Sequence, residues 1–253
     1  DSFSDGGRFL NTGDAIDHAR QVVEEGADII DVGGESSRPG SEPVSRETEL
    51  ARVIPVIEGI RRFSDLPISI DTTKAEVAEK ALAAGADIIN DISGFRFDQN
   101  MTEVAVLHHT PVIVMHMLGT PKSMQVQPCY EDCIKEIKEF FSERINHCVE
   151  NGVDRDMIIL DPGIGFGKRL EDNLTIIKNL REFKSLGCPL MLGASRKSFI
   201  SMVTGIEGKA DKRIGGSLAA LLTALRNGCD IIRVHDVGET IESIEVLKAI
   251  EEA

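Results

Sequence analysis

Short apolar runs alternate along the chain with longer amphipathic segments. Seven runs are rich in Ile, Val or Leu and bounded by Gly, Pro or Asp, which is typical of parallel strands covered on both faces. These predicted strands cover residues 27–34, 67–72, 86–92, 111–117, 157–162, 189–194 and 230–235. Eight predicted helices cover residues 14–25, 46–62, 74–84, 100–109, 130–151, 170–186, 214–227 and 240–252.

One junction between a helix and the next strand recurs three times. It reads Glu25-Gly26-Ala27-Asp28, Ala84-Gly85-Ala86-Asp87 and Asn227-Gly228-Cys229-Asp230. Reuse of one helix–turn–strand unit favours an α/β fold of the TIM (β/α)8 barrel type, formed as a single domain over residues 1–253. Such a barrel needs eight strands, so we expect the first strand to lie upstream of residue 1. An open doubly wound sheet is the alternative, and it needs no additional strand.

Nearly every predicted strand ends in polar residues, where a barrel carries its reacting groups. Asp, Ser, Thr or Asn at such an end is explained equally well by helix capping. Cations are disfavoured at helix N-termini, so capping does not explain Arg38, Lys197, Arg233 and His235. Arg233 and His235 are two apart on a strand and therefore point the same way. These cations predict an anionic ligand, a phosphate or a diphosphate.

A second set of strand ends carries carboxylates and an amide. Asp71, Asn90 and Asp161 each follow a hydrophobic strand, so each is expected to be inward and partly desolvated. Such groups need hydrogen-bond partners, which the edge of a pterin-like or guanine-like ring supplies. A structural bond to a neighbouring loop is the alternative. Spacing does not decide whether Asn90 or Asp91 points inward, nor whether His116 belongs to the core or to the site.

The glycine-rich stretch at residues 163–168 matches neither common nucleotide motif. A P-loop requires Ser or Thr after its Lys, whereas Lys168 is followed by Arg169. A dinucleotide fingerprint requires a third Gly where Lys168 stands. The glycines are therefore expected to let a ligand ring approach the backbone.

Composition narrows the class of protein. Lys plus Arg number 28 and Asp plus Glu number 42 among 253 residues, a net charge of −14, which argues against nucleic-acid or anionic-membrane binding. Aromatic residues are only 4 %, so the core is expected to be aliphatic. Five cysteines without a C-x-x-C pair argue against a disulfide framework or a zinc site and favour the cytoplasm. No apolar run reaches membrane-spanning length.

Taken in order along nearly the whole chain, the motifs resemble the dihydropteroate synthase family. The resemblance rests on residues 1–7 (DSFSDGG), 33–40 (GGESSRPG), 69–72 (SIDT), 89–91 (IND), 115–117 (MHM), 161–168 (DPGIGFGK), 195–197 (SRK) and 233–236 (RVHD). It implies a transferase of folate biosynthesis that joins 4-aminobenzoate to 6-hydroxymethyl-7,8-dihydropterin diphosphate. It also implies inhibition by sulfonamides, which mimic aminobenzoate.

The resemblance assigns a role to each candidate site residue. The pterin would be held by Asp71, Asn90, Met115, Asp161 and Lys197. The diphosphate would be bound by Ser37, Arg38, Arg233 and His235. The aminobenzoate would be bordered by Phe166, Ser195 and Lys197. The catalytic residues would be Asp71, Lys197, Arg233 and His235, and the loops at residues 1–7 and 35–40 would order over the substrates.

Two departures from the family pattern affect these expectations. Ser37 stands where the family usually has Thr, which keeps the hydroxyl. The family's Asn that helps to bind Mg²⁺ falls upstream of Asp1, so the Mg²⁺ cofactor is expected without a ligand in this sequence. The resemblance further implies a homodimer. A pterin-binding methyltransferase domain and a non-catalytic pterin-binding protein are the alternatives. Lys197 with the Arg233/His235 pair favours the synthase over the methyltransferase domain, which has no diphosphate to bind.

Overall fold

The computed structural model describes residues 11–38, 40–206, 208 and 210–253. Within them the chain alternates between strands and helices. The strands are β1 (Ile30–Gly33), β2 (Ile68–Asp71), β3 (Ile88–Asp91), β4 (Val112–Met115), β5 (Ile158–Asp161), β6 (Met191–Leu192) and β7 (Ile231–Ile232). Each lies inside a predicted strand, and the flanking residues of those predictions belong to the connecting loops.

The helices follow the prediction with three differences. They are α1 (Thr12–Glu24), α2 (Arg46–Arg61), α3 (Ala75–Ala83), α4 (Met101–His108), α5 (Cys133–Glu150), α6 (Leu170–Lys178), α7 (Ser198–Thr204), α8 (Ile214–Arg226) and α9 (Val237–Glu251). The predicted helix at 170–186 was wrong in its second half, which is a 3-10 helix, Leu180–Leu186. The predicted helix at 130–151 starts later, since Asp132 caps it by accepting from the Lys135 N–H. The short α7 was missed.

The order of the strands decides between the two predicted architectures. All neighbours pair in parallel, and β1 to β5 lie side by side in chain order. A bridge between Leu160 and Leu190 continues the order towards β6, which pairs with β7. A doubly wound sheet reverses its strand order at a switch point, whereas a barrel adds each strand beside the previous one. The observed order is that of a barrel.

The arc of strands leaves a cavity of about 590 Å³ that is lined by both β1 and β7. Its walls also include α1 and α9, and it reaches the barrel interior at Ile88 and Ile113. The eighth strand that the barrel prediction requires stays a prediction.

The hydrophobic core has two main layers. The larger layer lies between the strands and the helices and contains the outward side chains of the sheet, such as Ile70, Ile89 and Val114. A smaller cluster of Ile88, Ile113 and Met191 fills the barrel interior. The core is aliphatic, as the composition predicts. Among the described residues, no helix is long and apolar enough to cross a membrane.

Candidate active site

The alternation of side chains along each strand builds the site directly above the interior cluster. Two residues after Ile88, Ile113 and Ile159 come Asn90, Met115 and Asp161, which therefore point to the same side of the sheet as the cluster. The strand register places Asp71 beside Asn90 and Met115 beside Asp161. Four of the five residues assigned to the pterin thus lie on the inward face of the sheet at the carboxyl ends of β2 to β5.

The structure also decides between Asn90 and Asp91. Asp91 shares the outward face of β3 with Ile89, and its carboxylate accepts from the backbone N–H groups of Ser93 (2.7 Å) and Phe95 (3.1 Å). It is fully buried, and burial raises its pKa to about 6. Asp91 therefore shapes the turn after β3, and Asn90 is the residue that faces the barrel.

Arg233 is paired with carboxylates inside the barrel. Its Nε and Nη2 each lie 2.7 Å from Asp31 Oδ2, and Nη2 lies 3.8 Å from Asp71 Oδ2. Asp31 also accepts from the Ser69 hydroxyl and, at 3.3 Å, from Asn90 Nδ2. Burial and the negative charge of Asp31 raise the pKa of Asp71 to about 7, and the positive charge of Arg233 opposes this rise.

Asp31 is the site residue that the sequence analysis missed. A signal was present, because Asp31 interrupts the apolar run of β1 with a charge that needs a partner. The ion pair with Asp31 fixes the guanidinium of Arg233 near the Asp71 carboxylate.

Asp161 interacts electrostatically with two lysines, Lys197 and Lys168. Its Oδ1 accepts from the Gly163 N–H at 2.8 Å. Burial raises the pKa of Asp161, while the positive charges of Lys197, Lys168 and Arg233 lower it. Lys197 donates to the Ile164 carbonyl oxygen, its Nζ lies 4.6 Å from the centre of the Phe166 ring, and burial lowers its pKa to about 8.

Ser195 and His235 meet across the ends of β6 and β7. His235 Nδ1 lies 3.0 Å from Ser195 Oγ, and the His235 N–H donates to the same oxygen at 3.3 Å. The next residues pair as well, because Arg196 Nε donates to Asp236 Oδ2 at 3.0 Å. These bonds hold together the two loops that carry Lys197 and Arg233.

Ser37 and Arg38 lie on the loop after β1. The Ser41 hydroxyl fastens this loop by donating to the carbonyl oxygens of Ser36 (2.6 Å) and Arg38 (2.8 Å). Glu35, on the same loop, forms an ion pair with Lys74, which also contacts the buried Glu49 at 2.5 Å. The loop is therefore held at its base. The predicted loop at residues 1–7 and Pro39 of the loop at 35–40 lie outside the described residues.

The described residues were also tested as a metal site. They contain no group of three or more His, Cys, Asp or Glu side chains placed to hold a metal ion. Asp31, the acidic side chain nearest to Arg233, is already occupied by Arg233 and Ser69. The described side chains therefore do not form a metal site by themselves.

Comparison of this chain with known proteins agrees with a pterin-binding site at the mouth of the barrel. The family model described as pterin binding enzyme matches residues 1–235. The dihydropteroate synthase of Synechocystis sp. is 47 % identical over 250 residues, which cover 99 % of this chain and 86 % of the relative. That of Escherichia coli K12 is 45 % identical and covers 98 % of this chain and 87 % of the relative.

The chain belongs to the dihydropteroate synthase family of pterin-binding enzymes.

Solved structures of the dihydropteroate synthase family have the same fold. The Yersinia pestis enzyme in a sulfonamide drug complex superposes with a TM-score of 0.94 at 41 % identity, over 100 % of this chain and 90 % of that one. The Xanthomonas albilineans enzyme with 4-aminobenzoic acid gives 0.91 at 40 % identity, over 99 % and 89 %. The resemblance and the TIM barrel predicted from the sequence are both confirmed.

Proposed function

We propose that this protein is a dihydropteroate synthase. It joins 4-aminobenzoate to 6-hydroxymethyl-7,8-dihydropterin diphosphate and releases 7,8-dihydropteroate and diphosphate. The observation that carries the proposal is the convergence of Asp71, Asn90 and Asp161 with Arg233 at one mouth of the barrel. A related structure contains 7,8-dihydropteroate, the expected product, bound to the Xanthomonas albilineans enzyme (38 % identity).

The pterin ring binds with its edge towards the side chains of Asp71, Asn90 and Asp161 at the mouth of the barrel. Adjacent ring N–H and amino groups donate to the Asp161 carboxylate, while Asn90 both donates to the ring edge and accepts from it. Met115 packs with Phe166 in one apolar cluster and forms a wall of the pocket. Lys197, whose Nζ lies 4.6 Å from the centre of the Phe166 ring, closes the pocket.

The chemistry is a dissociative substitution. The C–O bond between the pterin methylene and the diphosphate breaks, and its electron pair leaves with the diphosphate. The cation that remains is stabilised by the electron-rich ring and by the negative charge of Asp71. The amine nitrogen of aminobenzoate then forms the C–N bond and loses a proton to solvent. No side chain acts as a covalent nucleophile.

The barrel mouth stabilises the leaving group as its charge grows. Arg233 is already oriented by Asp31, so its remaining N–H donors need little reorganisation when diphosphate departs. His235, Ser37 and Arg38 complete the proposed diphosphate site. Because these donors are stronger partners for the departing diphosphate than for the bound ester, they lower the barrier.

Aminobenzoate binds at the outer edge of the same mouth. Its carboxylate is placed near Ser195, and its ring packs against Phe166 beside Lys197. Sulfonamides present the same ring and amine, so we expect them to compete with aminobenzoate. The sulfonamide complex of the Yersinia pestis enzyme supports this assignment.

Four further features belong to the proposal. Mg²⁺ is the cofactor that the family resemblance implies, and it would neutralise part of the charge on the diphosphate. The chain functions as one domain, it forms a homodimer, and it acts in the cytoplasm, which suits its five free cysteines.

A product assay tests the function. The full-length protein is mixed with both substrates and Mg²⁺, and dihydropteroate and diphosphate are measured together. The expected result is equal amounts of both products, lost with Asp161→Asn and retained with the surface variant Lys178→Met. Binding of the pterin diphosphate without release of diphosphate would instead indicate a pterin-binding protein, and methyl transfer from a methylated pterin would indicate a methyltransferase domain.

A further inference from the structure

Lys168 is a buried lysine that contacts no substrate in the proposed chemistry. It is 4 % exposed and lies on the loop that follows β5. Its Nζ is 2.9 Å from His116 Nδ1, 3.1 Å from the Phe166 carbonyl oxygen and 3.3 Å from the His116 carbonyl oxygen. An ammonium group has three N–H donors and no acceptor, so three acceptors satisfy it completely.

His116 is suited to be the acceptor. Burial lowers its pKa well below the ordinary value, and the positive charges of Lys168 and Arg96 lower it further. The ring is therefore neutral, with its proton on Nε2 and its Nδ1 lone pair directed at Lys168. The ring packs edge-on against Phe140, with 4.8 Å between the ring centres, which fixes its orientation.

The ammonium connects the two loops that form the apolar wall of the ring pocket. His116 follows β4, and Phe166 lies on the loop after β5. The same two loops also meet where the Tyr130 hydroxyl, just before α5, donates to the Gly167 carbonyl oxygen at 2.8 Å. Arg96, on the loop after β3, braces the loop after β4 by donating to the Met117 carbonyl oxygen at 2.9 Å. Met115, Met117, Met124 and Phe166 pack as one cluster on this support.

Packing alone does not explain why the charged side chain of Lys168 is buried between these two loops. Burial of an ammonium group costs several kcal/mol before its partners compensate, and an apolar side chain of similar volume fills such a space at lower cost. Lys168 contacts His116, whose backbone N–H donates to the Asp161 carbonyl oxygen at 2.9 Å. This proximity to Asp161 indicates what the charge contributes.

Asp161 and Lys168 interact electrostatically within a small set of charged groups. The groups that face Asp161 are Lys197, Lys168 and Arg233. The groups that face Lys168 are His116, Asp161, Lys197, Asp172 and Cys133. Burial lowers the pKa of Lys168 to about 7, so Lys168 carries its charge throughout the acidic range in which a carboxyl group titrates.

We propose that Lys168 is a positioning residue for the reaction. Its ammonium group locks the loops after β4 and β5 together, and its charge keeps the neighbouring Asp161 as the carboxylate that receives the pterin edge. The role of Asp161 in this inference rests on the proposed function. Lys168 acts through Asp161 and Phe166 and does not itself touch the reacting atoms.

The test compares two uncharged variants. Lys168→Met removes the charge and the hydrogen bonds, whereas Lys168→Gln removes the charge but keeps an N–H donor. Lys178→Met, at an exposed site on α6, is the matched control. The pKa of Asp161 is measured by carboxyl ¹³C NMR of protein labelled at aspartate, with the signal assigned by its loss in Asp161→Asn. The KM for the pterin diphosphate and thermal unfolding are measured on the same samples.

Both uncharged variants should raise the pKa of Asp161 by about one unit or more, because they remove a nearby opposite charge. The KM for the pterin diphosphate should rise by up to about tenfold at acidic pH, where wild-type Lys168 carries its charge and a one-unit shift changes the ionised fraction of Asp161 most. Lys178→Met should change neither value. If Lys168→Met does not fold, Lys168→Gln carries the test. An unchanged pKa of Asp161 in a folded uncharged variant would overturn the inference, even if that variant were less stable. The proposed function is judged separately, by whether the wild-type protein makes dihydropteroate at all.

Discussion

Substitution of Gly163 tests how tightly the ring pocket depends on its loops. Gly163 has a φ of +68°, and a Cβ added there would lie 2.1 Å from the His116 carbonyl oxygen. Ordinary contact begins at 3.4 Å, so Gly163→Ala requires the two loops to separate by about 1.3 Å. The Gly163 N–H also donates to Asp161, so this movement disturbs the carboxylate directly.

Gly205 is a matched control for this substitution. Its φ is +67°, and no atom lies within 4 Å of an added Cβ. Gly205→Ala therefore isolates the cost of the left-handed backbone, about 1 kcal/mol. Gly163→Ala adds an overpacking cost of roughly 1–3 kcal/mol. For a protein of this size we expect Tm to fall by about 2–4 °C in Gly205→Ala and by about 4–16 °C in Gly163→Ala.

The activity of the two variants should differ more than their stability. A displacement near 1 Å of positioning groups can reduce a rate about 100-fold. We therefore expect kcat/KM for the pterin diphosphate to fall about 100-fold in Gly163→Ala and to stay near the wild-type value in Gly205→Ala. Differential scanning fluorimetry and initial-rate kinetics measure the two effects. Equal losses of Tm together with unchanged kinetics in both variants would refute the reasoning.

Three other outcomes are expected. Arg233→Met should lower kcat/KM for the pterin diphosphate by roughly 10- to 150-fold, which corresponds to the loss of one hydrogen bond to a charged group. Adding Asp31→Asn to this variant should restore stability but not turnover. Normal turnover in Arg233→Met would contradict the assignment. Burial and the negative charge of Asp31 raise the pKa of Asp71 from 3.8 to about 7. The protonated carboxyl group therefore contributes its full stabilisation of the folded state below about pH 4, and this contribution is lost as pH rises through about 7. In urea titrations the wild type should lose unfolding free energy relative to Asp71→Asn across that range, and a relative gain would be inconsistent with this pKa. A thiol reagent should label Cys129 rapidly in the native protein and all five cysteines after denaturation, since the other four are buried; rapid labelling of a second thiol would argue against this packing.

The barrel could be predicted from the sequence because strands and helices repeat with a clear period. Each strand is a short apolar run, and the last inward residues of β2, β3 and β5 are polar, so Asp71, Asn90 and Asp161 could be placed at one rim from the sequence. The choice between Asn90 and Asp91 required the structure. Both residues end β3. The structure distinguishes them because Asp91 lies on the outward face with Ile89, whereas Asn90 faces the barrel.

Features that depend on distant contacts were not predictable. Asp31 gains its role from Arg233, which is 202 residues away in the chain. The Lys168–His116 contact likewise joins two loops that only the fold brings together. The short α7 was missed because seven residues with two β-branched side chains near their end give too few turns to show a helical period.

A crystal structure of the enzyme with 6-hydroxymethyl-7,8-dihydropterin diphosphate would test the central claim most directly. The account predicts the ring edge at Asp161 and Asn90, with the diphosphate at Arg233 and His235 in the same barrel mouth. A ring bound elsewhere, or a diphosphate that points away from Arg233, would contradict it.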